Sequence, residues 1–402
     1  MSKSKKNIAI LGGGASGLMA ANILSNNFDV TIYEKEKIIG QKLLVAGKGG
    51  FNLTSELPTE ELIKKYSPSN FLSNAIRNFN SLDLRNWLLE LGIPTYVGTS
   101  GRVFPEKGIK PIQVLDSLKE NLLDKNVKFL TNHKFISFDG NDKPIIEFDN
   151  KETSIDADNY IFALGGASWK ITGADGIWKD KFESIGVNTI PFQASNCGIN
   201  INWTENIKES HSGKPLKNIR ISIDNKKSSG EAVITDYGLE GNAIYSIVPE
   251  VRNSLSKEKV TEIFLDFKPS NSLIQLQNKT KSNLGKSISS KDYSKIFNLN
   301  STELAIIKSF TDKATYLDLD SFIKSLKSLP IHVESLRPID EAISTVGGID
   351  INELNSDFSL KKYPNIYTIG EMVDWDAPTG GFLLQGCFSM GNFVGRSIME
   401  IL

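Results

Sequence analysis

The sequence contains few residues that cross-link a chain or bind metals. It has two cysteines, Cys197 and Cys387, and three histidines among 402 residues. Cysteines so far apart argue against a disulfide framework, and the spacing of the histidines is not that of a metal site. We therefore expect a protein of a reducing compartment, the cytoplasm, without a bound metal.

The sequence also lacks an excess of charge of either sign and lacks a long apolar run. Its 46 Lys and Arg residues balance 47 Asp and Glu residues, which indicates no global basic surface for nucleic acid or an anionic membrane. No stretch approaches the roughly 18 apolar residues of a membrane span. The start, MSKSKKNIAILGGGASG, superficially resembles a signal peptide, but its regular glycines favour a strand and a turn. We expect no membrane partner.

The alternation of patterns along the chain predicts an α/β fold. Short buried-strand runs flank small-residue or amphipathic helices at both ends, whereas the middle changes to alternating β patterns and then to helical spacing. We therefore predict a discontinuous Rossmann-like domain with an inserted antiparallel β domain and a small helical module. The predicted boundaries are 1–188 and 346–402 for the Rossmann-like domain, 189–268 and 329–345 for the β domain, and 269–328 for the helical module.

The segment GGGASG carries the clearest chemical signal. Gly12, Gly14 and Gly17 satisfy G-x-G-x-x-G between a predicted strand and a predicted helix, and Glu34 ends the next strand. In this context the glycines permit a tight turn, approach of a pyrophosphate and close helix packing, while the acid accepts ribose hydroxyls. The pattern predicts a dinucleotide site.

Two further glycine-rich segments favour FAD over NAD. One is GQKLLVAGKGGFNLTS, interpreted as a loop after Glu34, and the other is TIGEMVDWDAPTGGFLLQG near the end of the chain. FAD is the longer cofactor, and its ribityl chain and ring need backbone donors beyond the pyrophosphate turn.

Three more motifs are GRVFPEKGIKPIQVLDSL, ALGGASW and ITDYGLEGNAIYSI. Together with the glycine-rich segments, they make nearly the whole chain resemble the YhiN/BaiN-like FAD-dependent oxidoreductases. The chain resembles a separate branch of this family. The branch differs from the usual family loops at Ala46, Gly50, Phe51, Phe382 and Leu383, and keeps Asn52. The resemblance, with the dinucleotide motif, implies this set of FAD-binding residues: Gly12, Gly14, Ala15, Ser16, Gly17, Glu34, Lys35, Lys42, Gly47, Gly49, Gly50, Asn52, Lys134, Phe135, Ala163, Gly165, Gly166, Gly370, Glu371, Gly380, Gly381, Phe382 and Leu383.

Other side chains have two open interpretations each. Arg102 and Phe104 either border the substrate cavity, where a guanidinium would bind an anion or stabilise reduced flavin, or form a structural turn. Lys48 lies either near the cofactor or in a solvated loop. Cys387 is interpreted as a structural thiol, since no second cysteine lies nearby in the sequence. No catalytic acid or base is identified.

The predicted activity is flavin-mediated hydride or electron transfer on a small-molecule substrate. A second G-x-G-x-x-G is absent, so NAD(P)H, if it is the donor, is expected to bind transiently at the flavin face. One alternative is reduction of uridine in ribosomal RNA, for which residues 208–220 and 224–230 are the best local basic stretches. Another is a non-catalytic flavin-binding redox sensor.

Overall fold

The computed structural model describes residues 5–46, 50–280 and 290–401. The chain forms two compact units, one made of residues 1–193 and 343–402 and the other of residues 194–342. The sequence-based boundary at 268/269 falls inside the second unit. Among the described residues, no helix is both long and apolar enough to cross a bilayer.

The chain up to residue 195 alternates strands and helices. The strands are β1 (Asn7–Leu11), β2 (Asp29–Glu34), β3 (Thr54–Ser55), β4 (Thr95–Val97), β5 (Arg102–Pro105), β6 (Lys128–Thr131), β7 (Lys134–Phe138), β8 (Pro144–Phe148), β9 (Lys151–Ser154), β10 (Asn159–Phe162) and β11 (Thr189–Ser195). The helices are α1 (Ala15–Leu24), α2 (Gln41–Ala46), α3 (Thr59–Ile63), α4 (Ser73–Asn78), α5 (Ser81–Glu90), α6 (Pro111–Asp124) and α7 (Lys179–Ser184).

The middle of the chain contains strands followed by helices. The strands are β12 (Ile199–Asn200), β13 (Pro215–Ile223), β14 (Lys226–Ile234), β15 (Gly238–Glu240), β16 (Thr261–Asp266), β17 (Leu329–Val333) and β18 (Ser335–Leu336). The helices are α8 (Glu205–His211), α9 (Asn242–Tyr245), α10 (Val248–Leu255), α11 (Leu273–Asn278), α12 (Ser290–Phe297), α13 (Ser301–Ser309), α14 (Lys313–Leu317) and α15 (Leu319–Lys327).

The last part returns to the first unit with β19 (Ser344–Ile349), β20 (Ile366–Thr368) and the long helix α16 (Phe382–Ile401). Strand β20 joins the sheet begun at the N-terminus, whose order is β20-β10-β1-β2-β6. Every neighbouring pair in it is parallel. The predicted discontinuous Rossmann-like fold is therefore confirmed.

Strand β1 lies in the interior of the first unit. Ile8, Ile10 and Leu11 of β1 are at most 1% exposed, as expected for a parallel strand covered on both faces. Helix α16 packs closely on α1: a Cβ at Gly391 would lie 2.3 Å from the Ser16 carbonyl oxygen, and one at Gly395 2.7 Å from Ile23. Glycine at both positions lets the two helices approach.

The helical spacing of apolar residues over 70–91 predicts one helix, but the structure has two, α4 and α5. The break occurs because Asn80 caps α5, its side chain accepting the N–H groups of Leu82 and Asp83, an arrangement that starts a new helix. The predicted loop after Glu34 also needs correction, because residues 41–46 form α2. Leu43 in this helix is buried in the core.

The second unit is built on a seven-stranded sheet in the order β17-β16-β13-β14-β15-β12-β18. All its pairs are antiparallel, as the alternating pattern predicts. Its sheet and its helices share one apolar core, in which Ile221 and Leu265 of the sheet pack with residues of α12 and α15. There Tyr293 stacks on Phe322 with ring centroids 3.7 Å apart.

Candidate functional site

The turn between β1 and α1 lies against the end of β10. Gly12 adopts a φ of +109°, and its N–H donates to the Tyr33 carbonyl at 2.8 Å. A Cβ at Gly12 would lie 2.3 Å from the carbonyl oxygen of Ala163. Both the conformation and the neighbouring strand therefore require glycine here, which fits the tight turn that the motif predicts.

Residues 14–17 form the start of α1. Gly14 is the N-cap, and no side chain among the described residues caps this helix. A Cβ at Gly17 would lie 2.2 Å from the Gly12 carbonyl oxygen, whereas a Cβ at Gly14 would meet nothing within 4 Å. Packing of the protein therefore explains Gly17 but not Gly14. Gly14 borders open space at a helix N-terminus, where the backbone N–H groups of Ala15 and Ser16 could bind a phosphate.

Glu34 lies at the end of β2, beside this turn. Its carboxylate oxygens accept the Gly13 N–H at 2.8 Å and the Glu36 N–H at 2.9 Å. Burial raises the pKa of the Glu34 carboxyl above its ordinary value, and these two hydrogen bonds oppose the shift. Each carboxylate oxygen accepts more than one hydrogen bond. Glu34 can therefore orient the turn and still accept ribose hydroxyls.

Lys42 joins α2 to the turn that follows β20. Its ammonium lies 2.6 Å from the Glu371 carboxylate and donates to the Ser168 hydroxyl at 3.0 Å. Because only 13% of the Glu371 side chain is exposed, this pair is better shielded from water than most surface ion pairs. The structure thus brings together two predicted site residues that are 329 positions apart.

The glycines after β10 pack against the same acid. A Cβ at Gly166 would lie 2.1 Å from the Thr345 hydroxyl and 3.2 Å from Glu371, and the Thr345 N–H donates to Glu371 at 3.1 Å. The Gly165 carbonyl accepts the Trp178 indole N–H at 3.0 Å. Sequence reasoning missed Thr345 and Ser168, because no pattern in the chain relates them to residues 166 and 371.

Lys35 lies next to Glu34 in sequence but is held by another partner. Its ammonium lies 2.6 Å from the Asp175 carboxylate. A Cβ at Gly173 would lie 3.1 Å from the side chains of both Lys35 and Glu36. The segment around residue 175 therefore packs against the loop that follows the ribose acid, a contact that the sequence did not predict.

Gly370 brings the end of β20 next to α1 and α16. A Cβ at this glycine would lie 2.4 Å from the Ser16 hydroxyl and 3.8 Å from the Cys387 sulfur. Burial, with a smaller effect of Glu371, raises the pKa of the Cys387 thiol to about 12. The thiol therefore stays protonated at neutral pH, which agrees with the structural interpretation of Cys387.

The two other glycine-rich segments meet at the small sheet β3-β5-β4. A Cβ at Gly381 would lie 2.6 Å from the backbone of Thr54, and a Cβ at Gly50 would lie 3.7 Å from the Phe104 ring. Asn52 donates its N–H to the Gly50 carbonyl at 2.9 Å. Gly47, Lys48 and Gly49 lie outside the described residues.

The start of α16 continues this contact region. A Cβ at Gly380 would lie 3.1 Å from the Phe382 ring and 3.6 Å from the Arg102 Nε atom. The Phe382 carbonyl accepts the Tyr66 hydroxyl at 2.8 Å, and Leu383 packs against the core of the unit. Gly380, one of the predicted residues, thus lies beside Arg102, which the sequence left with two interpretations.

Lys134 and Phe135, two of the FAD-binding residues that the resemblance implies, lie at the start of β7. The N–H of the preceding residue, His133, donates to the Glu34 carbonyl at 2.8 Å, which places this strand beside the ribose acid. Phe135 packs edge to face on Phe162 at 5.0 Å between ring centroids. The Phe135 side chain therefore packs against the core, whereas Lys134 is exposed.

The space at Gly14 tests whether FAD fits this unit. A Cβ at Gly14 would meet nothing within 4 Å at the uncapped start of α1, and the Glu34 carboxylate accepts the N–H of the neighbouring Gly13. Amide donors, a carboxylate and an open cradle are what a dinucleotide pyrophosphate and ribose require. The residues fit FAD. Residues 12–17 would hold the pyrophosphate and Glu34 the ribose, and the roles of the other implied residues stay predictions.

Comparison with protein families gives one match that spans almost the whole chain. The family model described as HI0933-like protein Rossmann domain matches residues 6–397. Among curated proteins, the 3-dehydro-bile acid delta(4,6)-reductase of Clostridium scindens is 24% identical over 98% of this chain and 99% of its own. The ribosomal RNA dihydrouridine synthase of Haemophilus influenzae is 24% identical over 99% of both chains.

Solved structures agree on the fold. The 3-ketosteroid-delta4-(5alpha)-dehydrogenase of Rhodococcus jostii superposes with a TM-score of 0.52 and 11% identity, covering 99% of this chain and 98% of its own. The 3-ketosteroid delta1-dehydrogenase of Sterolibacterium denitrificans gives a TM-score of 0.51 and 11% identity, with both chains covered completely. At such identities the likeness concerns the architecture alone.

Proposed function

The chain belongs to the HI0933-like family of FAD-dependent oxidoreductases, and we propose that it reduces a carbon–carbon double bond conjugated to a carbonyl in a small molecule. The names of the two curated relatives support this chemistry. One is a reductase of delta(4,6) unsaturation, and the product of the other, dihydrouridine, is uridine with its ring double bond saturated. In both, hydrogen is added across a double bond next to a carbonyl.

The observation that carries the proposal is the open cradle at Gly14 beside Glu34, because it fits the cofactor that this chemistry needs. Bound FAD would supply the hydride chemistry that reduction of such a double bond needs. The amides of residues 12–17 would hold its pyrophosphate, and the ion pair of Lys42 with Glu371 ties the segments after β2 and β20 together.

We propose NAD(P)H as the electron donor, bound only transiently. The described residues offer one strand–turn–helix dinucleotide cradle, which FAD would occupy, and the sequence has no second motif of this kind. A donor without its own domain must reach the flavin from solvent and leave before the substrate binds. We also propose that the protein works in the cytoplasm, since its sequence has only two cysteines.

Uridine in ribosomal RNA is the second candidate substrate. Lys214, Lys217, Lys226 and Lys227 are exposed on or next to the hairpin of β13 and β14, where phosphates would find cations. The balance of 46 basic and 47 acidic residues favours a small molecule instead. No specific observation supports the redox-sensor alternative, and we do not propose it.

The test is anaerobic reduction of the yellow holoprotein by NADH or NADPH, followed by addition of acceptors. Benzylideneacetone serves as a simple enone and purified ribosomal RNA as the alternative. We expect the enone to restore the oxidised flavin spectrum and to yield the saturated ketone in equal amount. Reoxidation by ribosomal RNA with formation of dihydrouridine, and none by any enone, would favour the second candidate.

A further inference from the structure

Strand β5 presents one buried and one accessible face. Val103 and Pro105 are buried, whereas Arg102 and Phe104 are partly exposed on the opposite face. Such alternation is the normal period of a strand with one covered face. On the accessible face, Phe104 stacks on Tyr96 of β4 with ring centroids 5.7 Å apart and planes at 27°. The face therefore consists of a flat aromatic pair next to a guanidinium.

The Arg102 guanidinium has no hydrogen-bond or ion-pair partner among residues 5–46, 50–280 and 290–401. Other arginines of this unit are paired: Arg77 donates to Glu60 at 2.9 Å, and Arg85 to Glu56 at 2.7 Å. A guanidinium that is partly removed from water loses hydration, which an anionic partner usually restores. The described chain supplies no such partner to Arg102.

Two glycines lie close to Arg102 and Phe104. A Cβ at Gly380 would lie 3.1 Å from the Phe382 ring and 3.6 Å from the Arg102 Nε atom, and Gly380 has a φ of +123°. A Cβ at Gly50 would lie 3.7 Å from Phe104. These glycines belong to the two segments that the sequence assigns to the cofactor. The guanidinium and the aromatic pair therefore lie next to both of these segments.

We propose that Arg102 binds a carboxylate of the substrate, while Phe104 supports its flat conjugated part. This rests on the proposed reduction of a conjugated double bond and adds the class of substrate: a planar enone that carries a remote carboxylate. A planar guanidinium binds a carboxylate through two parallel hydrogen bonds and so fixes its orientation. An aromatic face next to it favours a flat apolar body.

The test compares 4-carboxybenzylideneacetone with its methyl ester, which differ in the negative charge. We expect Arg102→Gln to raise KM for the acid by about 10-fold to 100-fold, the effect of losing a charge-assisted hydrogen bond. KM for the ester should change by less than about twofold, because the ester has no negative charge. The kcat for both should change equally little, because the lost contact stabilises the bound substrate and the transition state to the same extent. The KM of Arg102→Lys for the acid should lie between those of the wild type and Arg102→Gln. The variant Arg77→Gln, which removes an arginine paired with Glu60, should have the KM of the wild type.

A binding measurement separates this inference from the proposed reaction. 4-Carboxybenzylideneacetone and its methyl ester are titrated into oxidised holoprotein without an electron donor, and the change in the flavin absorption band gives each Kd without turnover. Tighter binding of the acid, lost in Arg102→Gln, supports the role of Arg102 even where neither enone is reduced. Equal affinity for both ligands in the wild type would overturn it. So would loss of FAD or a shifted flavin midpoint potential in Arg102→Gln, since Arg102 would then serve the cofactor.

Discussion

The Lys42 ammonium lies 2.6 Å from the Glu371 carboxylate, so a short helix after β2 is tied to the turn after the last strand of the sheet. We expect Lys42→Met to lower the free energy of unfolding of the FAD-free protein by about 1 to 3 kcal/mol, because Glu371 loses its cation in a poorly hydrated place. Urea unfolding followed by circular dichroism measures this.

The control is Lys64→Met, which removes the partner of Glu61 in a pair whose side chains are 67% and 55% exposed. Its cost should be clearly smaller, because water and salt screen an exposed pair. Equal costs for both variants would mean that the Lys42 pair contributes no more than a surface ion pair.

The two glycines of the turn should respond differently to a methyl group. Gly14→Ala should leave the melting temperature of the FAD-free protein nearly unchanged, because its Cβ meets nothing within 4 Å, yet it should deplete bound FAD. Gly17→Ala should lower the melting temperature itself, since its Cβ would lie 2.2 Å from a carbonyl oxygen. The ratio of flavin to protein absorbance, read beside the melting curve, separates the two effects. A fully yellow Gly14→Ala protein would place the pyrophosphate elsewhere.

Glu34→Ala should weaken FAD binding about 10-fold to 100-fold, the range for one charge-assisted hydrogen bond to the ribose. Fluorescence titration of FAD into the apoprotein gives the two affinities. Because Glu34 also accepts two backbone N–H groups, the variant must first show a native circular dichroism spectrum. An unchanged affinity in a folded variant would refute the role.

The raised pKa of Glu34 has a consequence for stability. Between the ordinary value of 4.5 and the raised value, the folded protein keeps a proton that the unfolded chain has released. The contribution of this group to stability therefore falls as the pH rises through that interval. Unfolding free energies of wild-type and Glu34→Gln apoprotein are measured from pH 4 upward. The wild-type value minus the variant value should fall as the pH rises. A difference that is constant with pH would contradict the assigned shift.

Cys387 should resist alkylation. With its pKa raised to about 12, the thiolate fraction at pH 8 is about one in ten thousand, and the thiolate is the reactive form. Mass spectrometry after treatment with iodoacetamide should show little modification of the folded protein and complete modification in urea. Rapid labelling of the native protein at residue 387 would indicate an activated thiol instead.

Local features of the fold could be predicted from the sequence, and long-range contacts could not. The strand, turn and helix at 7–24 follow from apolar runs and glycine spacing, and Glu34 follows from its distance to the turn. By contrast, the contacts of Lys42 with Glu371 and of Gly166 with Thr345 depend on strand order. Nothing in the chain near Arg102 indicated that Gly380 would lie beside it.

The break between α4 and α5 and the existence of α2 show a second limit. Asn80 sits in a long helical pattern, and only its geometry as a cap reveals that one helix ends and another begins. Helix α2 has six residues, too few for an amphipathic period to show. Both features depend on tertiary packing more than on propensity.

The close packing of α16 on α1, through Gly391 and Gly395, bears on the order of events during translation. The nucleotide turn leaves the ribosome well before residues 382–401, so α1 lacks its close partner α16 until those residues have been made. Residues 194–342 emerge earlier and carry their own core, so they can fold while the first unit waits. Nascent chains arrested before residue 366 should therefore emerge without flavin, and chains that include residues 382–401 should be the first to turn yellow.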